Sequence, residues 1–434
     1  MTDMLERLLA GRVPDPDGGG TLASPIRHVV IAGTLAGGEA ELVARLGFGR
    51  RLAVISDVET RRVMGERIER ALSGANEVSP LVLDAAPHPD QETLDEVRSR
   101  VADADALIAV GSGTINDLTK MAAFRTGLPF AVFGTAPSMN GYTSMSAAIT
   151  VAGHKRSLPA KTPDGVFLDL SVLASAPARL IRAGFGDSIC RATAQVDWRL
   201  AHLLRDEPYR QAPFDLLAED EPELVAGAGR LMSGDIAVME RLARTLVLSG
   251  LGMTLCGGSM PASQGEHLIS HYVEMMSPPG MAPALHGEQI AVTTVAMAGL
   301  QERMLAGEPP VPREAGPDEA ALVAHFGPEL GASCWAEFAR KRPDREARAA
   351  ASERLSRHWP EWRVELRALA RPMAALRDAL LAAGAPTRPS DLYWPASLSR
   401  SALLHAREIR GRYTFLDLAA ETGMLEREAL AWSR

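Results

Sequence analysis

Between residues 28 and 133, short apolar runs alternate with longer amphipathic stretches, and this alternation constrains the fold more than any other feature of the chain. His28-Val-Val-Ile-Ala32, Arg51-Leu-Ala-Val-Ile-Ser56, Pro80-Leu-Val-Leu-Asp84, Ala106-Leu-Ile-Ala-Val110 and Phe130-Ala-Val-Phe133 read as strands. Thr60 to Ser73 and Gln91 to Ala104 have helical spacing. Continuous apolar strands separated by helices describe a parallel sheet covered on both faces. From Gly141 to Ala160 the residues alternate around a Gly153-His154-Lys155 turn, the pattern of a β-ribbon laid over the sheet domain. Beyond Pro177 nearly everything has helical period: Ala178–Leu204, Pro222–Ser249, His267–Met276 and Gly287–Ala306, then further helices to the end. The expected division is a polar lead-in over 1–25, a sheet domain over 26–177 and an all-helical domain over 178–434.

Bulk properties exclude several classes. A chain of 434 residues exceeds one ordinary core, so two domains are the default. With 46% hydrophobic and 23% charged residues it has a globular balance. A net charge of -8 argues against a surface built for nucleic acid. No apolar run reaches the roughly 18–20 residues of a membrane span, and the polar N-terminus lacks the apolar stretch of a signal peptide. The expectation is a cytoplasmic enzyme with a small-molecule substrate and neither nucleic acid nor membrane as partner. Cys190, Cys256 and Cys334 are odd in number and far apart, which suits a reducing compartment and packing roles. The mixed charges from Arg340 to Arg357, Lys341 among them, read as a solvated helix face.

Two constellations carry chemistry. In Gly111-Ser-Gly-Thr-Ile-Asn-Asp117 the glycines let backbone N–H groups approach an anion, and a helix expected to begin near Asn116 points its positive end at the same spot. Such a turn, following a strand of a parallel sheet, is where a pyrophosphate is held. Gly134-Thr-Ala-Pro-Ser138 follows a later strand as the facing wall. Asp57 ends the second strand, where it either accepts from a ribose hydroxyl or caps the next helix. The second constellation is Asp187, His267, His271 and His286. One carboxylate and two imidazoles suit zinc, iron(II) or nickel, and leave a coordination position for substrate. His267 and His271, four apart, share a helix face. His286 opens the helix after the Pro278-Pro279 break, and Asp187 is expected to start the first helix of the second domain. A dinucleotide site followed by an open metal site suggests metal-assisted hydride transfer.

The segments GSGTINDLTK (111–120), GTAPSMNGYTS (134–144), AGFGDSICRATAQVDW (183–198), PASQGEHLISHYVEM (261–275), LHGEQIAV (285–292) and HAREIRGRYTFLDLA (405–419) resemble the sn-glycerol-1-phosphate dehydrogenase branch of the iron-containing alcohol dehydrogenase superfamily. The resemblance runs from about residue 28 to the C-terminus. It implies a Rossmann-like α/β domain followed by an all-helical metal-binding domain, the dehydroquinate synthase-like fold. It implies reduction of dihydroxyacetone phosphate to sn-glycerol 1-phosphate with NAD(H), or NADP(H), and one divalent metal, zinc or nickel, with iron as an alternative. It makes Asp187, His267 and His286 the ligands and leaves His271 near the nicotinamide or substrate as a proton relay. It gives Gly111, Ser112, Gly113, Thr114, Asp117, Thr135, Ser138 and Ser144 as dinucleotide contacts, and a homodimer or larger homo-oligomer. Three positions depart from the family pattern. Asn140 stands where the branch carries aspartate, Met260 where it carries arginine, and Gln264 where it carries glycine. Losing a guanidinium weakens the case for a phosphate, so a related small carbonyl compound stands as the second substrate reading. A lyase-type relative using NAD within one turnover, and a binding module with a degraded site, are the other readings; the intact metal residues argue against the latter.

Overall fold

The computed structural model describes residues 3–151, 154–313 and 316–432. Its centre is a six-stranded sheet made of β1 (His28–Ala32), β2 (Arg51–Asp57), β3 (Glu77–Leu83), β4 (Ala106–Gly111), β5 (Phe130–Gly134) and β8 (Gly165–Asp169). The strand order is β1-β8-β5-β4-β2-β3, and all neighbours pair in parallel. Each of the five expected strands is present. β3 accommodates Pro80 because it is an edge strand, where a missing N–H leaves no ladder bond unmade. β8 was not anticipated. Its Gly-Val-Phe-Leu-Asp run is five residues long and wholly buried between two other strands, so it lacks the alternation that marks a strand with one wet face. Val54, Ile108, Phe133 and Phe167 line one face of the sheet together with Met64 and Ile68 from the helical stretch after β2.

The expected ribbon is an antiparallel pair, β6 (Ser146–Val151) and β7 (His154–Pro159). The turn was expected at Gly153-His154-Lys155; Gly153 lies outside the described residues, whereas His154 and Lys155 already pair in β7 with Val151 and Thr150. A short pair, Val13–Pro14 with Thr21–Leu22, occupies the lead-in.

The helices that position the functional residues are α1 (Gly113–Thr126), α2 (Ala178–Ile189), α3 (Arg191–Arg205), α4 (Ile236–Leu255), α5 (Gly265–Met276), α6 (His286–Ala306), α7 (Arg345–Leu369) and α8 (Phe415–Glu421). The helical run expected over Ala178–Leu204 is broken at Cys190. That over Pro222–Ser249 is broken where Gly234 turns left-handed (φ 75°) and Asp235 caps α4 through Ala237 N and Val238 N.

The chain forms two units, Met1–Ser188 with Gln211–Ser259, and Ile189–Arg210 with Met260–Arg434. The last strand ends at Asp169, and helices follow from Leu170. The units are drawn differently, because α2 and α4 pack with the first; α4 lies against β1 and the short helix Leu170–Ala174. The second unit is helical around one core, with Leu200, Ile269, Val292, Leu355, Trp359, Trp362 and Leu366 supplied by α3, α5, α6 and α7. Leu355, Trp359, Trp362 and Leu366 form the buried stripe of α7, whose other faces carry the charges read as solvated. Lys341 departs from that reading. It is buried, and its ammonium pairs with Asp417 at 2.9 Å.

Candidate active site

In the first unit, β2 leads outward to β3 and the chain then returns to β4 on the other side of β2. This reversal is a topological switch point, the place where a parallel sheet collects ligands at its C-terminal strand ends. The Gly111-Ser-Gly turn leaves β4 there. α1 begins at Gly113, three residues before the expected start. No side chain caps it: Ser112 stands at the N-cap, but its hydroxyl meets that of Ser138 at 2.6 Å. A Cβ on Gly113 would find nothing closer than Met139 Sδ at 3.9 Å, so the approach to the first turn of α1 is open. An uncapped N-terminus with open space above it suits a phosphate. Thr135 is buried, and its N–H donates to Gly111 O (3.1 Å), which joins the two loops expected to face each other. Thr114 lies half-buried in the first turn.

Other expected cofactor residues have structural partners. Asp57 forms a capping box with Thr60, accepting from Thr60 N at 2.7 Å while Asp57 N donates to Thr60 Oγ1. Of the two readings left open for Asp57, the cap is the one observed. Asp117 accepts from Ala148 N (3.0 Å) and from the Asn116 amide, fastening α1 to β6. Ser144 is buried, and its hydroxyl donates to Gly141 O and Ser146 O. Lys120, which no sequence signal singles out, is fully buried and donates to Gly141 O (2.5 Å), Ser144 O and Ser146 O (both 3.0 Å). Burial pushes its ammonium down to about 8, with the Asp117 charge partly opposing.

The loop 137–144 is gripped from two sides. A Cβ on Gly184 of α2 would lie 1.5 Å from Pro137 O, and one on Gly250 of α4 would lie 2.4 Å from Asn140 O. Thr143 Oγ1 donates to Val247 O (2.8 Å), and Thr254 Oγ1 donates to Thr143 O (2.9 Å). The grip sets Asn140 beside Asp187: Asn140 N donates to Asp187 Oδ2 at 3.0 Å, and the Asn140 amide reaches Ser249 Oγ at 3.4 Å. Asp187 does not start a helix, as expected, but lies in the last turn of α2, buried. Gly184, three residues before it, lets α2 close on the loop, so packing, not capping, sets its place.

In the second unit α5 presents His267 and His271 as expected, with ring centroids 5.9 Å apart. His286 is the first residue of α6, positioned by Glu288, whose carboxylate accepts from Leu285 N (2.8 Å). Its ring lies 5.1 Å from that of His267 and 6.1 Å from that of His271. Three imidazoles from two helices therefore converge. Glu266 is fully buried and meets His267 Nδ1 at 3.0 Å; it also accepts from Gln264 N (2.7 Å) and Thr193 Oγ1 (3.0 Å). Burial alone would raise its pKa, but the hydrogen bonds from His267 and Gln264 outweigh that and hold the carboxyl below its ordinary value. An ionised Glu266 accepts only, so Nδ1 carries the proton and Nε2 of His267 is the lone-pair nitrogen. Cys190 contributes a sulfur to the same neighbourhood, within 4.8 Å of Glu266 and His267 ligand atoms, and donates to Ala262 O.

Met260 and Gln264 belong to the loop before α5. Gln264 is buried, and its amide donates to Met260 O (3.0 Å), closing the loop on itself; Met260 is 38% exposed. Asp197 was also missed. Buried in α3, it accepts from Gly265 N, Phe415 N and the Gln301 amide, all at 3.0 Å, so it ties together the starts of α5 and α8. A lone aspartate inside an amphipathic helix gives no sequence signal of that role.

Residues 30–177 match the family model for iron-containing alcohol dehydrogenases. The chain is 32% identical over 313 residues to glycerol-1-phosphate dehydrogenase (NAD(P)+) of Pyrococcus furiosus, an alignment covering 69% of this chain and 89% of that one. It is 29% identical over 382 residues to the Bacillus licheniformis protein of the same name, covering 87% and 84%. Among solved structures it resembles maleylacetate reductase from Agrobacterium tumefaciens, with a TM-score of 0.62 at 17% identity over 94% of this chain and 97% of that one. Glycerol dehydrogenase from Schizosaccharomyces pombe gives 0.61 at 14% identity, over 96% and 93%. At such identities the structural likeness concerns the fold.

Proposed function

The chain belongs to the glycerol-1-phosphate dehydrogenases within the iron-containing alcohol dehydrogenase family, and we propose that it reduces dihydroxyacetone phosphate to sn-glycerol 1-phosphate with NAD(P)H and one divalent metal, and catalyses the reverse. The observation that carries this reading is the buried Glu266–His267 pair with the half-buried His286 ring beside it, in a chain whose relatives bear that activity in their names. The donor set fits a divalent ion. Nε2 of His267 is left as a lone-pair donor by Glu266, a second imidazole stands beside it, and Asp187 of the first unit is the proposed carboxylate ligand. Zinc or nickel is the favoured ion, with iron as the alternative.

Such an ion supplies a Lewis acid at the carbonyl oxygen, where negative charge grows as hydride arrives. The remaining work falls to side chains and backbone. The Gly111–Gly113 turn and the uncapped start of α1 hold the dinucleotide pyrophosphate, and Ser112 with Ser138 closes the floor beneath it. Thr114 and Thr135 are the proposed flanking contacts. NAD(H) is the proposed preference: Asp57, though it caps a helix, adds negative charge at the end of β2 that disfavours a 2′-phosphate. His271, beside His286 and partly open to solvent, is the proposed proton relay.

The substitutions at 140 and 264 fit the ordinary substrate. Asn140 keeps its backbone bond to Asp187, and Gln264 spends its amide on Met260 O instead of reaching outward. The test is NADH oxidation by the zinc- or nickel-loaded protein over a panel of dihydroxyacetone phosphate, dihydroxyacetone and glyceraldehyde 3-phosphate, with a chelator-stripped sample beside it. Turnover that is highest with dihydroxyacetone phosphate and lost on stripping supports the reading. Faster reduction of an unphosphorylated ketone would refute it.

A further inference from the structure

Apart from the histidines on α5 and α6, the second unit brings another pair of imidazoles together. His325 lies in the last turn of the helix Glu319–Phe326, and His405 ends the helix Ala396–His405. Their rings stack with centroids 3.8 Å apart and planes 23° from parallel. Both rings are half-buried, and each has a different partner at its edge. His405 Nδ1 meets both carboxylate oxygens of the buried Glu408 (3.0 and 3.2 Å), which lies in the 3-10 turn Ala406–Ile409. His325 Nε2 meets the hydroxyl of the buried Tyr272 at 2.8 Å. Tyr272 belongs to α5 and directly follows His271, so the stacked pair is fastened to the helix that carries His267.

The partners limit how much charge the pair can hold. Glu408 is the carboxylate in contact, and it balances one imidazolium, not two stacked ones. The other groups cannot help. Burial pushes the Tyr272 phenol up to about 12, so it keeps its proton; Ser401 donates to its oxygen, which directs that proton at His325 Nε2. Burial and the Glu408 charge push the Cys334 thiol, on the helix Pro328–Phe338, up to about 11. Charged and titratable groups on the packed elements turn elsewhere: Glu274 to the Gln289 amide, Glu337 to Gly411 N, Arg407 to Asp417, and His271 to the His286 ring. Burial and the His405 charge hold His325 below the ordinary 6.5, with Glu408 opposing. A protonated His325 would bear N–H on both nitrogens and would meet the Tyr272 donor with another donor.

We infer that His325 and His405 form an acid-sensitive latch on α5, able to carry one positive charge but not two, so that protonating His325 breaks its bond to Tyr272 and loosens the helix bearing His267 and His271. The folded ring takes up its proton less readily than the unfolded chain does near 6.5. The latch therefore contributes fully above pH 6.5, and its contribution is lost as pH falls below that value through the folded one. Two measurements on the metal-loaded full chain test this. In the first, histidine Cε1 carbons are labelled with carbon-13 and followed by NMR against pH. The signal missing from His325→Gln should titrate below 6.5, and Tyr272→Phe, which removes a donor to the neutral ring, should move its midpoint upward. The second is hydrogen exchange of the α5 amides, corrected for intrinsic rates. Between about pH 7.5 and about pH 5.5, protection should fall several-fold more in the parent than in His325→Gln, whose amide oxygen still accepts from Tyr272 but takes no charge. The histidines of α5 and α6 titrate in both proteins and cancel in that comparison. A His325 midpoint at or above 6.5, or the same pH dependence of α5 protection in both proteins, overturns the inference. Should His325→Gln misfold by circular dichroism, Tyr272→Phe decides, and a spectrum in which no histidine midpoint moves overturns it equally.

Discussion

Single residues set the chemistry here through what they fix, and Glu266 is the clearest case. Its ionised carboxylate decides which nitrogen of His267 bears the proton. In Glu266→Gln the amide can also donate, so the tautomer is no longer imposed. Metal affinity should drop about 10–100-fold in a competition titration, the usual cost of losing such a partner; an unchanged affinity would rule out the orienting role. Lys120 acts on the backbone, gathering three carbonyl oxygens of the loop 141–146. Lys120→Met leaves them without that donor and should cost about 2–4 kcal/mol in denaturant unfolding. Its pKa near 8 lies below the 10.5 of an ordinary lysine, so the unfolded chain binds more protons between those values. The lysine's contribution to stability therefore rises with pH across that window and is lost as pH falls through 8. The deficit of Lys120→Met relative to the parent should accordingly widen between about pH 8 and 10.5, and a constant deficit would contradict the shift. At this scale the converging histidines were legible, because histidines beside turns and glycines are conspicuous. Lys120 and Asp197 were not, since burial and partner choice are tertiary facts that a helical pattern does not encode.

Elements position these residues by close approach. α2 comes so near Pro137 that only glycine fits at 184, and the clash would be with backbone, which cannot rotate away. Gly184→Ala should therefore destabilise by more than about 3 kcal/mol and displace Asp187 with the loop. Gly113→Ala is the contrasting case. Its Cβ has open space, so the melting temperature should stay at the parent value while KM for NADH rises about tenfold, because the methyl group occupies the phosphate approach. Loss of stability without any change in NADH binding would place the cofactor elsewhere. The glycines at 111, 113 and 184 were visible in the sequence as punctuation, and the strand-to-helix turn followed from the first two. The start of α1 was read three residues late, because Thr114 and Ile115 are poor helix formers locally and only the end of β4 makes Gly113 the first helical residue. β8 escaped notice for a related reason, since a short run buried on both faces has no period to read.

At the level of the whole molecule, the alternation of the first 133 residues was enough to anticipate a parallel sheet, and the helical period beyond 177 to anticipate the rest. The division into units was less legible. Residues 211–259 are helical in pattern yet pack with the sheet, and nothing in their periodicity says which core they cover. Among the described residues no helix is long and apolar enough to cross a membrane. One chain carries a proposed dinucleotide turn on a sheet unit and converging imidazoles on a helical unit, and the proposed reaction, net reduction of a phosphorylated ketone, uses both. The most direct test follows both cofactor and product. Metal-loaded protein is given dihydroxyacetone phosphate and a limiting amount of NADH, and the glycerol phosphate formed is resolved by configuration. The account predicts one NADH consumed per product molecule and the sn-1 configuration throughout. Product formed while NADH is recovered unchanged, or product of sn-3 configuration, would contradict it.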